Sequence, residues 1–133
     1  MTQKNIDTME LIVSKMAHGN TLSAAMRDVY VKRNVAIPYR EEWLECKLTD
    51  LKMSMRTTSA LLRNKMQTIG DIVNYTNEHK IIDLKTFGGV SAIELFESIL
   101  DYCWDSMSQT EKDRFLADAV KRNSYNIRNE IKL

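Results

Sequence analysis

The sequence predicts an all-α fold, a helical hairpin followed by a compact helical module and a closing helix, and three observations predict it. Apolar residues recur at i, i+3, i+4 and i+7 along most of the chain, the period of a helix with one buried face. Only 4 Gly and 1 Pro stand among 133 residues, a poor supply for the many turns of β structure. Asp or Ser followed three residues later by Glu recurs ahead of apolar runs, the pattern that satisfies the free N–H groups at a helix start. Hydrophobic residues at 44% against 28% charged give enough apolar surface to fold, so composition does not predict disorder.

The elements follow in order. Asp7 to Glu10 reads as a capping box for a helix with Met9, Ile12, Val13 and Met16 on one face, stopped by Gly19. Thr21 caps a second helix with Leu22, Ala25, Met26, Val29 and Tyr30 inward. The stretch Asn34 to Tyr39 holds the single proline and ends it, and Glu41 to Leu48 fits a short helix anchored by Trp43 and Leu44. This helix–turn–helix pattern could direct Tyr39 and Arg40 to DNA, but a plain helical hairpin is the far commoner source of it.

From Leu51 an extended lead-in reaches a helix capped by Thr57 or Thr58 and carrying Ala60, Leu61 and Leu62. Thr68 to Val73 opens a second helix, and Asn77 to Leu84 forms a third with Ile81 and Ile82 inward. Phe87-Gly88-Gly89-Val90 is a tight turn in which the glycines supply positive φ. Ser91 and Glu94 then form a capping box for a long helix with Ile93, Phe96, Leu100, Cys103 and Met107 near one face. Ser108 and Glu111 cap the last helix, with Phe115, Leu116, Ala119 and Val120 buried, and Ser124 to Leu133 is a frayed end or tail. The expected segments are 1–47, 48–107 and 108–133.

Charge is unevenly spread although the net charge is only +1. Cys46 to Met66 holds Lys47, Lys52, Arg56, Arg63 and Lys65 against one acid, Asp50, whereas Gln67 to Asp105 holds seven acids against Lys80 and Lys85. Such a dipole orients a module on DNA or on a charged partner, and an ordinary solvated surface has the same appearance.

The ordered set Leu51-Lys52-Met53-Ser54-Met55-Arg56-Thr57, Ala60-Leu61, Ile69-Gly70-Asp71-Ile72-Val73, Thr76, Phe87-Gly88-Gly89-Val90-Ser91 and Ile93-Glu94 resembles the C-terminal domain of the bacterial RNA polymerase alpha subunit. The spacing from Arg56 to Ile69 needs no gap, and the later hairpin needs one inserted residue. The resemblance implies a compact helical module with a helix-hairpin-helix element that docks in the DNA minor groove and touches transcription proteins. Arg56 falls on the family's groove-inserting arginine. Ser59 replaces its neighbouring asparagine, Gly88 is the hairpin glycine, Ser91 is the serine after it, and Glu94 is the acid one turn on. The family's hairpin lysine, a phosphate contact, is Val90 in this sequence.

The DNA-contacting set implied is Arg56, Ser59, Gly88, Gly89 and Ser91, with Lys52, Arg63 and Lys65 adding field. The expected partners are double-stranded DNA at an A·T-rich minor groove, RNA polymerase, or both, and self-association stays open. Each of these residues also has a plain structural reading: an exposed cation, a turn glycine, an N-cap serine.

Other chemistries find no carrier. His18 and His79 lie outside any Cys/His ligand spacing, and Cys46 and Cys103 are far apart, which fits a reducing, cytoplasmic setting without metal or cofactor. HExxH, GxxxxGK[ST] and GxSxG do not occur, so the expectation is a non-enzyme. The polar N-terminus does not read as a signal peptide, and no apolar run approaches the roughly 20 residues of a membrane span.

Overall fold

A computed structural model of the protein describes residues 1–31 and 35–128. The expectations for Asn34 and for the last residues of the tail lie outside them. Six α-helices stand in the described residues: α1 (Gln3–Ala17), α2 (Leu22–Val29), α3 (Met55–Arg63), α4 (Ile69–Thr76), α5 (Gly89–Asp105) and α6 (Gln109–Arg122). Single 3-10 turns occupy Glu41–Trp43, Leu48–Asp50, Ile81–Asp83 and Ser124–Asn126. Among the described residues no strand forms, and two isolated antiparallel bridges, Tyr30 to Ile127 and Lys47 to Thr68, are the β contacts. The fold is all-α, as the apolar period predicts.

The protein forms two compact units, Met1–Pro38 together with Cys103–Leu133, and Tyr39–Tyr102. These limits differ from the three successive segments expected, because the two ends of the sequence share one unit.

In the first unit α1 packs on α2 and on α6. Thr2, not Asp7, caps α1, its hydroxyl accepting from Asn5 N–H at 3.2 Å, while Asp7 accepts from Gln3 within the helix. The earlier start turns Asn5, Thr8 and Ile12 inward, and Val13, expected in the core, is exposed. Gly19 ends α1 at φ 102°, a left-handed position that needs glycine. Thr21 caps α2, and Leu22, Ala25, Met26, Val29 and Tyr30 are buried as predicted. The Tyr30 hydroxyl is buried without a partner, and burial pushes its pKa up so that it stays protonated.

Ser108 and Glu111 form the predicted reciprocal box at the start of α6, and Phe115, Leu116, Ala119 and Val120 are its buried face. Lys112 lies over the Trp104 ring, 5.3 Å from its centre, and the Phe115 ring is tilted against it at 6.2 Å. The segment beyond α6 joins the end of α2 by two backbone bonds, Val31 N–H to Asn126 O and Arg128 N–H to Val29 O.

Asn123 locks this unit. Its buried side-chain amide accepts from Ala36 N–H at 2.8 Å and donates to Ala36 O at 2.9 Å and to Ala119 O at 2.7 Å. Asn123→Ala leaves both backbone groups of Ala36 without their partner. The expected loss is about 2 kcal/mol, each orphaned group near the surface costing roughly 1 kcal/mol, read from the midpoint of urea unfolding.

In the second unit the 3-10 turn Glu41–Trp43 replaces the short helix expected to Leu48, and Trp43 anchors it in the core. Arg40 stands at the start of that turn, 2.7 Å from Glu42 and over the Trp43 ring, and the third helix that would have carried it towards DNA does not form. The helix expected over Asn77 to Leu84 is likewise one turn; Ile81 is buried and Ile82 exposed. Thr68 and Asp71 box the start of α4. Gly70 lies against the segment before it, its N–H donating to Leu44 O at 2.8 Å, and a Cβ there would meet that oxygen at 2.9 Å.

Candidate nucleic-acid interface

The candidate interface is built on α3 and the start of α5. Ser54 caps α3, accepting from Thr57 N–H at 3.3 Å, so the cap lies earlier than the Thr57 or Thr58 predicted. Thr57 itself is buried and turned towards α5. The inward line of α3 is Thr57, Ala60 and Leu61; Leu62, expected in the core, is 45% exposed.

Three successive positions on one face of α5 hold the lead-in to α3. Ser98 Oγ donates to Lys52 O at 2.7 Å. Glu94 Oε1 accepts from Ser54 N–H at 2.7 Å and from the Ser54 hydroxyl at 2.9 Å. The Thr57 hydroxyl donates to Ser91 Oγ at 3.2 Å. Residues 91, 94 and 98 are a helical i, i+3, i+7 line, and they meet 57, 54 and 52 in reverse order. The lead-in therefore runs antiparallel to α5 and delivers Arg56 and Thr57 beside Ser91, two residues from Gly89. At its other end α3 is tied to the same hairpin, because Asn64 bonds the backbone of Lys85. The segment from Lys85 to Ser91, with its glycine corner, thus runs back along α3.

Glu94 departs from its expected role. α5 begins at Gly89, which puts Ser91 inside the first turn and leaves Glu94 to cap α3 and not its own helix. Slight desolvation raises the Glu94 pKa, but the Ser54 N–H and the Ser54 hydroxyl, with the Thr57 side chain close by, outweigh it and hold the carboxyl below its ordinary value. A pKa lowered on folding stabilises the fold above the ordinary glutamate range. That contribution is lost as pH falls through the lowered value. Glu94→Ala should cost about 1 kcal/mol at neutral pH, the scale of a lost helix cap. Its deficit relative to the parent should shrink as acid protonates the parent's own carboxyl, which urea midpoints across a pH series would show.

The glycine corner also differs from expectation. Neither Gly88 nor Gly89 has positive φ; the left-handed residue is Thr86 at φ 59°. A Cβ added to either glycine meets nothing within 4 Å. Neither backbone conformation nor internal packing explains two glycines here, and both are exposed. Gly88 has no side chain with which to close the start of α5, unlike Ser54 at the start of α3.

Each predicted site residue falls in this unit. Arg56 is exposed in the first turn of α3 and makes no hydrogen bond or ion pair among the described residues. Ser59 and Arg63 follow on the same face at i+3 and i+7, both exposed. Lys52 is exposed in the lead-in, and Lys65 is exposed just past the end of α3. Ser91 is half-buried and its oxygen is engaged by Thr57, which makes it a brace first. The geometry brings Arg56, Ser91, Gly88 and Gly89 to one end of α3, and Arg63 and Lys65 to the other. Lys85 joins that second group, a residue the sequence reading counted only as part of an acidic stretch. Its neighbour Thr86 held no local signal of the tie to Asn64, which spans 21 positions.

Tyr39–Tyr102 is therefore an all-α module in which one helix is stitched at both ends to a glycine-cornered hairpin. Among the described residues no His, Cys, Asp or Glu group could hold a metal ion, and no helix is long and apolar enough to cross a membrane. Residues 37–101 match the family of the C-terminal domain of the bacterial RNA polymerase alpha subunit, and this segment is a domain of that kind. A similar protein is the DNA-directed RNA polymerase subunit alpha of Thalassiosira pseudonana, 38% identical over 52 residues, which are 39% of the present sequence. The match spans 16% of that relative's length. No solved structure matches the sequence.

Proposed function

We propose that this protein is a transcription-associated accessory protein whose central unit binds duplex DNA through the minor groove. The observation that carries the reading is Arg56, an exposed guanidinium with no hydrogen bond or ion pair among the described residues, next to the braced Thr57 and near a glycine corner where neither positive φ nor a neighbouring atom calls for glycine. A narrow A·T-rich minor groove concentrates negative potential and attracts such a side chain. The N–H groups at Gly88 and Gly89, at the start of α5, suit a backbone phosphate, and Ser59 stands one turn after Arg56 on α3. Affinity on this reading comes from charge and groove shape, with little reading of base edges. It assigns no catalytic step and places the protein in the cytoplasm with the transcription machinery.

Fluorescence anisotropy with A·T-rich and G·C-rich duplexes over a salt series tests it. Tighter binding of the A·T-rich duplex, with affinity falling steeply as salt rises, is the expected result. No duplex binding at low salt would sink it.

A second reading has its own observation. Met55 and Val90, at the starts of α3 and α5, are each 84% exposed. Val90 stands where the resembled family has a lysine, so the corner offers apolar surface where a phosphate contact is expected. On this reading the unit binds a protein, RNA polymerase or another transcription partner. Retention of polymerase on the immobilised protein after nuclease treatment, without duplex binding, would favour it.

A further inference from the structure

The end of α3 remote from Arg56 carries several cations, one of them in a backbone conformation that favours glycine. Asn64 closes α3, and its amide pairs with both backbone groups of Lys85: Nδ2 donates to Lys85 O and Oδ1 accepts from Lys85 N–H, each at 3.0 Å. A third bond, Nδ2 to Ala60 O at 2.8 Å, fixes the amide in place. On either side of this clamp stands a left-handed residue that is not glycine, Lys65 at φ 62° and Thr86 at φ 59°.

Lys65 ends α3 in a Schellman arrangement, its N–H bonding Leu62 O and the Met66 N–H bonding Leu61 O, both at 3.0 Å. Glycine fills that position without steric cost, and lysine does not. Thr86 is β-branched, for which positive φ is an outlier. Backbone strain of this kind gathers at functional sites. Arg63, Lys65 and Lys85 are exposed, and none of them has an ion-pair partner among the described residues. Lys65 follows Asn64 and Lys85 is bonded to it, so their backbones lie together; like charges so placed repel in the free protein, and a polyanion relieves that repulsion.

We propose that Lys65 and Lys85, gathered by Asn64 with Arg63 beside them, form a second contact to the DNA phosphate backbone. Asn64 is the positioning residue. This inference rests on the duplex-binding reading given above. From Arg56 to Asn64 the helix rises about 12 Å, roughly three or four base-pair steps at ~3.4 Å each. A duplex lying along α3 meets Arg56 at one end and the two lysines at the other. The clamp supplies the backbone charge that Val90 does not.

The experiment is duplex binding by anisotropy over a salt series for the parent, Lys85→Gln, Lys65→Gly and Arg56→Ala, with melting temperatures alongside. Each lost phosphate contact should lower the slope of log affinity against log salt by about 0.9, so affinity changes about threefold less between 50 and 200 mM salt. Lys65→Gly should show this loss while its melting temperature rises by about 3 °C, since glycine relieves the left-handed strain. A lysine with only a structural role would not combine weaker binding with greater stability. If Lys85→Gln and Lys65→Gly keep the parent's affinity and slope while Arg56→Ala loses binding, the clamp is wrong and the groove reading stands. If the parent fails to bind duplex at all, both fall.

Discussion

Arg56→Ala should weaken duplex binding about 30-fold at low salt, corresponding to about 2 kcal/mol for a lost hydrogen bond from a charged group. The same change should leave the fold intact or slightly more stable. Arg56 bonds nothing among the described residues, and it sits in the first turn of α3, at the positive end of the helix. A cation there is disfavoured by about 0.3–1 kcal/mol, so alanine removes a penalty. Arg56→Lys keeps the charge but not the planar fork and should fall between the two. Anisotropy titrations and urea midpoints on the same preparations test both halves. Unchanged binding by Arg56→Ala across all salt concentrations would remove the groove role.

Leu61→Ala should destabilise the central unit by about 3 kcal/mol, the cost of lost transfer energy plus a cavity. Leu61 is fully buried on the inward line of α3. Small domains hold only about 5–15 kcal/mol in total, so this one change consumes much of the stability that keeps Arg56 in place. Leu62→Ala, one residue on, should cost less than about 1 kcal/mol, because Leu62 is 45% exposed. Urea unfolding followed by far-ultraviolet circular dichroism separates the two variants. Equal losses would show that the register of α3 has been misassigned.

That neighbouring pair shows where sequence reasoning stops. Both leucines belong to one apolar run, and period alone places both inward. The decision is made by Thr57 and Asn64, which are tied to Ser91 and to Lys85 and so set the rotation of α3 about its axis. Neither tie leaves a local trace, because each joins residues more than twenty positions apart. Glu94 has the same history. Three residues after Ser91 it fits a capping box for its own helix, yet the carboxylate finds a better donor pair on Ser54.

The cations carry a related lesson. Arg56, Arg63 and Lys65 were legible as a basic stretch, but a solvated surface has that composition too. Their placement adds what composition lacks: one cation stands at the positive end of α3, and another in a left-handed position where glycine is at ease. Lys85 was hidden because the stretch around it is acidic, and the Asn64 amide brings it to the basic end.

By itself the sequence determined what depends on neighbours within a turn or two. These are the helical class, the stop at Gly19, the start of α4, the reciprocal cap of α6, the buried faces of α2 and α6, and the family of the central segment. Tertiary structure alone decided which apolar stretches shorten to a single 3-10 turn and that both ends of the sequence share one unit. It also brought the glycine corner beside Arg56. The reason is one of range: periodicity and capping act through bonds between residues three or four apart, whereas these outcomes depend on which distant oxygen a given N–H reaches.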